Sequence, residues 1–310
     1  MVAQIIFLIG LVFCFTPFAS PPSALAVGLL IAFTIQHPFK VFAHRAIKYL
    51  LEISVVGLGF GLNFAQVIKA GEKGVVFTVV SIAATLLIGW LIGKSLGINK
   101  KISYLISAGT AICGGSAIAA TAPIINAHED EVAVALGTIF ILNSIALFLF
   151  PPLGHHLGLT MKQFGMWSAI AIHDTSSVVG ASARYGDEAL KIATIVKLTR
   201  ALWIVPLSLG TIFVLKNRPK RKTSAKIAFP YFILGFVGAS LVVTFFPGLK
   251  SVYAGLVDGS KVGLTVTLFL IGAGLSRDKL KTVGVKPVVQ GIILWALISV
   301  VSLMVVKNLC

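Results

Sequence analysis

The sequence predicts an all-α polytopic membrane protein of about eleven transmembrane helices, with inverted repeats and discontinuous helices. Composition is the first reason, because 57% of the residues are hydrophobic and only 12% are charged, whereas a soluble domain carries about 25% charged residues. The second reason is that long apolar runs recur along the whole chain, as expected of helices that cross a bilayer.

Each predicted helix is an apolar run between polar or helix-breaking connectors. Residues 1–21 are expected to form an extra, short N-terminal helix and not a signal peptide, because no positive residue precedes the apolar stretch. Together the helices are expected to form a single transporter domain over residues 1–310. The predicted spans cover residues 2–18, 22–38, 49–69, 73–94, 102–126, 131–151, 164–184, 187–215, 228–247, 260–277 and 287–307.

The basic residues predict the topology. A net charge of +16 would suit a nucleic-acid partner, but Lys and Arg gather in short connectors, where they orient a membrane protein. Most fall in alternate connectors, such as residues 94–101 and 216–226. The chain is therefore predicted in a bacterial inner membrane with its N-terminus cytoplasmic and its C-terminus outside, and without a nucleic-acid partner. The acidic connector 129–131 is then expected on the outer side.

Two segments resemble each other. Residues 59–76 read GFGLNFAQVIKAGEKGVV and residues 272–289 read GAGLSRDKLKTVGVKPVV, with Gly, Leu, Lys and Val recurring at the same positions. Because the two segments begin in helices of opposite predicted direction, they suggest an inverted repeat, a frequent construction of secondary transporters. The repeat-like regions extend over residues 49–97 and 260–310, and chance similarity between Gly-rich helices is the alternative.

A helix break is predicted in the middle of the fifth span. Gly114 and Gly115 lie at the centre of GTAICGGSAIAATAP, residues 109–123, and free backbone groups at a break must face protein or water. The half-helix that begins near Ser116 would direct its positive end at the break and favour an anion. Close helix packing by small residues is the alternative.

The seventh and eighth spans carry ionisable residues near their centres. His173, Asp174, Thr175 and Ser177 lie in the seventh span, where a central carboxylate must be paired, protonated or hydrated. Asn143, near the middle of the sixth span, is expected to hydrogen-bond a neighbouring helix.

Lys197 and Arg200 in the eighth span are three residues apart and share a helix face. Asp174 could neutralise only one of these two cations, so the residual positive charge favours an anionic ligand. A purely structural pair of Asp174 with Lys197 or Arg200 is the alternative.

At these motifs the chain resembles the YeiH-type family of bacterial inner-membrane proteins, uncharacterised protein family 0324, whose members are labelled as sulfate exporters. The resemblance runs from about residue 22 to the end. It is carried by GTAICGGSAIAA at 109–120 and KLTRALWIVP at 197–206, with GLGFGLN at 57–63 and IGAGL at 271–275 in support. It implies a build related to cation/proton antiporters and bile-acid symporters, with inverted repeats, discontinuous helices that cross near mid-membrane, and a homodimer.

The chain departs from the family pattern at 173–182, where HDTSSVVGAS stands in place of a sequence closer to HEVAQVVAAG. Asp174 replaces a Glu and Ser177 replaces a Gln, at positions where a ligand would be recognised.

The predicted function is a secondary transporter that exports a small sulfate- or sulfonate-like anion. Gly114, Gly115, Ser116, His173, Thr175, Ser177, Lys197 and Arg200 would bind the substrate, and Asp174 with His173 would handle a coupling ion or proton. The alternatives are a cation/proton antiporter that uses Asp174, a channel, and a membrane-embedded enzyme. The enzyme is disfavoured because no nucleophile motif, metal signature or cofactor loop accompanies His173 and Asp174, so no cofactor is predicted.

Overall fold

The computed structural model describes residues 2–34, 40–65, 75–216, 231–274 and 283–309, and these residues form helices joined by turns, without a strand among them. The helices, in chain order, are α1 (Val2–Phe13), α2 (Pro21–Thr34), α3 (Lys40–Leu58), α4 (Val75–Ser95), α5 (Lys100–Ala111), α6 (Gly115–Thr121), α7 (Glu129–His156), α8 (Met161–Ala171), α9 (Thr175–Tyr185), α10 (Asp187–Leu202), α11 (Ile204–Lys216), α12 (Phe232–Phe245), α13 (Lys250–Gly274) and α14 (Val285–Leu309).

Several helices have the length and composition of membrane spans. Five stretches of the described residues qualify by both criteria, and α1, α2, the end of α3 and α12 are shorter apolar helices. The predicted eighth span is interrupted at Trp203, where α10 gives way to α11, because Pro206 cannot donate a backbone hydrogen bond to the carbonyl of Leu202. The five qualifying stretches are Thr78–Ser95, Glu129–His156, Asp187–Val214, Pro247–Gly274 and Val285–Asn308.

The predicted fifth span is a helical hairpin and not a crossing. The Lys101 ammonium donates to the carbonyl oxygen of Asn126 at 2.7 Å and lies 3.4 Å from the Glu131 carboxylate. A continuous helix would hold residues 101 and 126 about 38 Å apart. We call residues 100–126 hairpin 1; its two arms are α5 and α6, and its base lies at the amino end of α7.

The predicted seventh span is a second hairpin. The Tyr185 hydroxyl donates to the carbonyl oxygen of Leu159 at 2.6 Å, and the hydroxyls of Ser168 and Ser182 are 2.9 Å apart. The ring of His155, at the carboxyl end of α7, stacks on Tyr185 with centroids 4.2 Å apart. We call residues 161–185 hairpin 2; its arms are α8 and α9, and its base lies at the opposite end of α7 from that of hairpin 1.

The prediction of about eleven crossings is therefore wrong at the fifth and seventh spans. Two half-length helices that return to one side have the same composition as one helix that crosses, so hydropathy cannot separate them. The predicted break in the fifth span is nevertheless present, since α5 ends at Ala111 and α6 begins at Gly115. Glu129–Glu131 lies beside Lys101, not on the side opposite to it.

Small residues allow close packing around the hairpins. At the crossing of α2 and α13, a Cβ on Gly28 would lie 2.8 Å from the backbone nitrogen of Ala273, and a Cβ on Gly272 would lie 3.0 Å from that of Leu29. Only glycine permits this approach of two backbones, which is a common basis of helix association in membranes.

The Gln290 side chain of α14 joins α4 to the first arm of hairpin 1. Its amide nitrogen lies 3.0 Å from the carbonyl oxygen of Gly89 and 2.8 Å from the Ser103 hydroxyl. A buried amide that is bonded to two other helices fixes the position of α5 relative to α4 and α14.

The inverted repeat remains a prediction. Residues 66–74 and 275–282, which carry much of the internal similarity, lie outside the described residues. In the described part, α3 ends in the 3-10 turn Gly59–Gly61 and Leu62 is extended, whereas α13 continues as a helix through Gly274.

Candidate functional site

The tips of the two hairpins meet beside the middle of α7. A Cβ on Gly114 would lie 3.4 Å from the carbonyl oxygen of His173 and 3.2 Å from the Ile139 side chain. The backbone N–H of His173 donates to the Asn143 side-chain oxygen at 3.1 Å. Because Ile139 and Asn143 occupy the centre of a 28-residue helix, the two tips lie about halfway along it. We call residues 112–114 and 172–174 the tip junction.

Lys197 joins the two tips. Its side chain is completely buried, and its ammonium donates to the carbonyl oxygen of Ile172 at 2.7 Å and to those of Ala169 and Ile112 at 3.3 Å each. The three acceptors belong to the last turn of α8 and to the residues that follow α8 and α5. One cation therefore contacts both hairpins.

Arg200 lies one turn further along α10 and is also completely buried. Its Nη2 donates to the carbonyl oxygen of Ala111, the last residue of α5, at 2.5 Å. Its Nη1 lies 3.3 Å from the Ser81 hydroxyl of α4. Both cations are thus directed at the carboxyl ends of the first arms.

The positive charge of this cluster is only partly compensated. The carboxyl end of a helix carries roughly half a negative charge, so the ends of α5 and α8 together offset about one of the two cations. Among the residues that the structure describes, no carboxylate lies within 4 Å of Lys197 or Arg200. The ion pairs of these described residues join Glu131 to Lys101, and Asp187 and Asp258 to Lys261.

Asp174 does not pair with either cation. Its carboxylate caps α9 by accepting from the backbone nitrogens of Ser176 at 3.1 Å and Ser177 at 3.3 Å, and it also accepts from the Ser176 hydroxyl. An acidic N-cap satisfies free N–H groups and complements the helix dipole. The structural ion pair considered from the sequence is therefore absent here, because the carboxylate is directed at the amino end of its own helix.

Several buried polar atoms around the tip junction have no hydrogen-bond partner among the described residues. They are Nδ1 and Nε2 of His173, Nδ2 of Asn143, Nε of Arg200 and Oγ1 of Thr110. Leaving such groups unpaired costs about 1–3 kcal/mol each. Donors predominate in this set, because the amide and guanidinium nitrogens can only donate. A bound ligand that accepts hydrogen bonds would satisfy them.

The remaining predicted site residues lie close to this cluster. Gly114 is at the tip of hairpin 1; Gly115 is partly exposed and Ser116 is exposed at the start of α6, where a Cβ on Gly115 would lie 3.5 Å from Leu136 of α7. Thr175 and Ser177 are buried in the first turn of α9. The structure therefore brings all the predicted positions to the two tips and to α10.

Ser81 and Thr110 are not among the site residues that the sequence predicts, and Asn143 is predicted only to contact a neighbouring helix. Each is a polar residue in an apolar span, which is the signal that could have found them. Among the described residues, no group of three or more His, Cys, Asp or Glu side chains is placed to hold a metal ion.

Comparison with known proteins yields one consistent group. The family model described as Conserved hypothetical protein 698 matches residues 1–303. A UPF0324 membrane protein of Bacteroides thetaiotaomicron is 52% identical over 286 residues, which cover 92% of this chain and 85% of the relative.

Two further relatives carry the same description. The UPF0324 membrane protein of Porphyromonas gingivalis is 50% identical over 295 residues, covering 93% of this chain and 87% of the relative. That of Vibrio parahaemolyticus is 48% identical over 295 residues, covering 95% of each. No solved structure matches.

Proposed function

The chain belongs to the conserved hypothetical protein 698 family of UPF0324 membrane proteins, and from this premise we propose that it is a secondary transporter for a small anion. The substrate would bind at the tip junction, against Lys197, Arg200 and the unpaired donors of His173 and Asn143. A sulfate- or sulfonate-like oxyanion fits the proposal, since it offers several acceptor oxygens to a donor-rich and positively charged site.

One observation carries the proposal: two fully buried cations lie three residues apart, and no carboxylate of the described structure lies within 4 Å of either. A lone ion in the membrane interior is costly, and two adjacent ions repel each other. Helix-end carbonyls compensate only part of this charge. An anion between them would remove the remainder and would also pair the free donors.

The hairpins support transport over simple binding. Hairpin 1 and hairpin 2 have their bases at opposite ends of α7. Each hairpin therefore reaches the tip junction from a different end of α7. Broken helices that meet near mid-membrane are a recurrent basis of alternating access. Withdrawal of one hairpin would expose the junction to one compartment while the other hairpin keeps it closed.

Export is the proposed direction. With a membrane potential negative inside, an anion that leaves the cell gains about 2.3 kcal/mol per charge per 100 mV. Export of an anion thus needs no coupling ion, whereas import would need one. We further propose the inner membrane, a cytoplasmic N-terminus, an outer C-terminus and a homodimer; the distribution of Lys and Arg supports the orientation.

Anion flux in proteoliposomes tests the function. We expect sulfate or an alkyl sulfonate to move down its gradient, and Lys197→Ala and Arg200→Ala each to weaken anion affinity by about 30-fold or more, because loss of a buried charged partner costs about 2 kcal/mol or more. Lys100→Ala is the control, since Lys100 is exposed at the base of hairpin 1. Unchanged flux in both buried-cation variants would reject the assignment.

Thermal unfolding provides a second readout that does not require flux. Added substrate should raise the unfolding temperature of the wild-type protein, because binding to the folded state stabilises it. Sulfate and an alkyl sulfonate, added in the same way, should produce little shift in Arg200→Ala. Equal shifts in the two proteins would place the binding site elsewhere.

A cation/proton antiporter is the second candidate function. It is favoured by the partial exposure of Asp174 at the tip of hairpin 2, where a carboxylate could exchange a proton for a cation. Flux that follows a sodium or proton gradient without any added anion would support it.

A further inference from the structure

A cavity lies beside the amino end of α10, away from the tip junction. Its volume is about 440 Å³, and its walls come mainly from the end of α3 with the residues that follow it, from α10 and from α13, with Val243 of α12 beside them. Charged and polar side chains occur in all three walls, namely Asn63, Asp187, Lys191, Thr194, Lys250, Asp258 and Lys261.

The charges in this cavity are unbalanced. Lys261 lies 2.8 Å from the Asp187 carboxylate and 4.0 Å from that of Asp258, so both carboxylates of the lining are engaged by one lysine. Lys191 and Lys250 are exposed and form no ion pair within 4 Å among the described residues. Lys191 also interacts electrostatically with Asp187, one turn before it on α10. With three lysines and two carboxylates, the lining retains one net positive charge.

The walls are held in place by specific contacts. The Phe60 and Tyr253 rings stack with centroids 5.7 Å apart, and the Tyr253 hydroxyl donates to the carbonyl oxygen of Phe246 at 2.8 Å. The backbone N–H of Phe64 donates to the Thr244 hydroxyl at 2.9 Å, which fixes the chain after α3 to the end of α12. The cavity is thus a preformed feature of the fold.

The cavity is close to the buried cations. Lys191, Thr194, Lys197 and Arg200 follow one another at intervals of three residues along α10, so neighbouring members lie side by side on the helix. Lys191 and Thr194 line the cavity, and Lys197 lies one turn beyond Thr194, about 9 Å along the axis from Lys191.

We propose that this cavity is an anion-binding vestibule, in which Lys191 and Lys250 hold a small oxyanion on its way to or from the tip junction. The assignment of a path rests on the proposed transport function; anion binding in the cavity does not. The vestibule lies on the side of the base of hairpin 2, which the distribution of Lys and Arg predicts to be the outer side.

The charge selectivity of thiol labelling tests whether the cavity attracts anions. Ala254→Cys places a thiol in the cavity wall, and Gly255→Cys places one on the next residue of α13, which does not line the cavity and has open space around its Cβ position. Both variants carry Cys310→Ser, and the native Cys14 and Cys113 are buried. The probes are a sulfonate-bearing and a trimethylammonium-bearing methanethiosulfonate, applied to the purified full-length protein.

We expect the ratio of anionic to cationic labelling rates to be about fivefold higher at Ala254→Cys than at Gly255→Cys, as expected for a nearby uncompensated positive charge. The excess should disappear when Lys191→Ala and Lys250→Ala are both added and should persist with Lys191→Arg. The vestibule proposal would be overturned if the ratio of labelling rates were equal at the two cysteines. It would also be overturned if Lys191→Ala and Lys250→Ala left the ratio at Ala254→Cys unchanged.

Flux measurements test the path. At low ionic strength, Lys191→Ala should raise the half-saturating anion concentration about threefold without lowering the maximal rate, and high salt should remove the difference. Lys162→Ala, an exposed lysine at the base of hairpin 2 outside the cavity, should have no effect. Charge-selective labelling in a protein that shows no anion flux would support the vestibule and reject the transport function. Anion flux that depends on Lys197, in a protein whose labelling is not charge-selective, would support transport and reject the vestibule.

Discussion

The Asp174 carboxylate illustrates how one residue separates the two candidate functions. Because it caps α9, Asp174→Asn should preserve the helix, since Asn caps as well as Asp, while removing the negative charge. An anion transporter should retain its flux with equal or higher anion affinity. A cation/proton antiporter that uses this carboxylate should lose its flux. The measurement is flux in proteoliposomes, made once with an anion gradient and once with a sodium or proton gradient.

Asp174→Ala is the control for the capping role. It should lower stability by about 1 kcal/mol through loss of the cap, which thermal unfolding of the purified protein would reveal. If Asp174→Asn were destabilised as much as Asp174→Ala, its charge and not its capping geometry would be holding the tip of hairpin 2.

The sequence indicates the two cations of the candidate site but not the groups that compensate their charge. Lys197 and Arg200 stand out because cations are rare at the centre of an apolar span. Apart from the Ser81 hydroxyl, their partners are the backbone carbonyls of Ala111, Ile112, Ala169 and Ile172, and any residue type supplies a carbonyl. No sequence pattern therefore identifies these acceptors, and a carboxylate such as Asp174 is the natural but incorrect choice.

At the scale of the element, the turn of hairpin 1 depends on Gly114. Its φ of +63° and ψ of −120° lie where side chains are strained, and a Cβ would approach Ile139 to 3.2 Å. Gly114→Ala should therefore lower the free energy of unfolding by about 1–3 kcal/mol.

Gly115→Ala is the matched control in this hairpin. The neighbouring glycine begins α6, and its Cβ position has its closest contact at 3.5 Å. This change should be neutral or slightly stabilising, because alanine favours helix over glycine. Equal losses of thermal stability in the two variants would show that the turn does not depend on the backbone conformation of Gly114.

Helix positions could be predicted from hydropathy, but hairpins could not. The predicted sixth span, 131–151, falls within α7, and the predicted eleventh span, 287–307, falls within α14. Periodicity and apolar length report that a segment is buried; they do not report whether it returns. The decisive contacts, between Lys101 and Asn126 and between Tyr185 and Leu159, join residues about 25 positions apart in sequence.

At the scale of the molecule, the two hairpins reverse one helix and leave the rest of the topology unchanged. Removing two crossings preserves the sides of both termini, and only α7 changes direction relative to the prediction. The alternation of Lys and Arg along the chain therefore fitted eleven spans, although the fifth and seventh of them are hairpins. The two hairpins together change the predicted side of the membrane only between residues 126 and 161.

Accessibility to a membrane-impermeant thiol reagent checks this topology. Lys100→Cys and Glu129→Cys should be labelled from one side of the membrane, and Lys162→Cys and Glu188→Cys from the other; all four positions are exposed. With the proposed cytoplasmic N-terminus and the two hairpins, the first pair is expected to be cytoplasmic, so that its labelling in intact cells requires permeabilisation. Labelling of residues 100 and 129 from opposite sides would restore the fifth crossing.

The hydrogen bonds of Lys197 have a consequence for the empty protein. The ammonium contacts carbonyls of both hairpins. If either hairpin moved away, the Lys197 ammonium would lose some of its hydrogen-bond acceptors in a nonpolar environment. Without a replacement acceptor, that retreat is energetically uphill. An anion is such a replacement, and we therefore expect the unloaded protein to stay shut, which would limit leakage of protons and other ions through an otherwise open route.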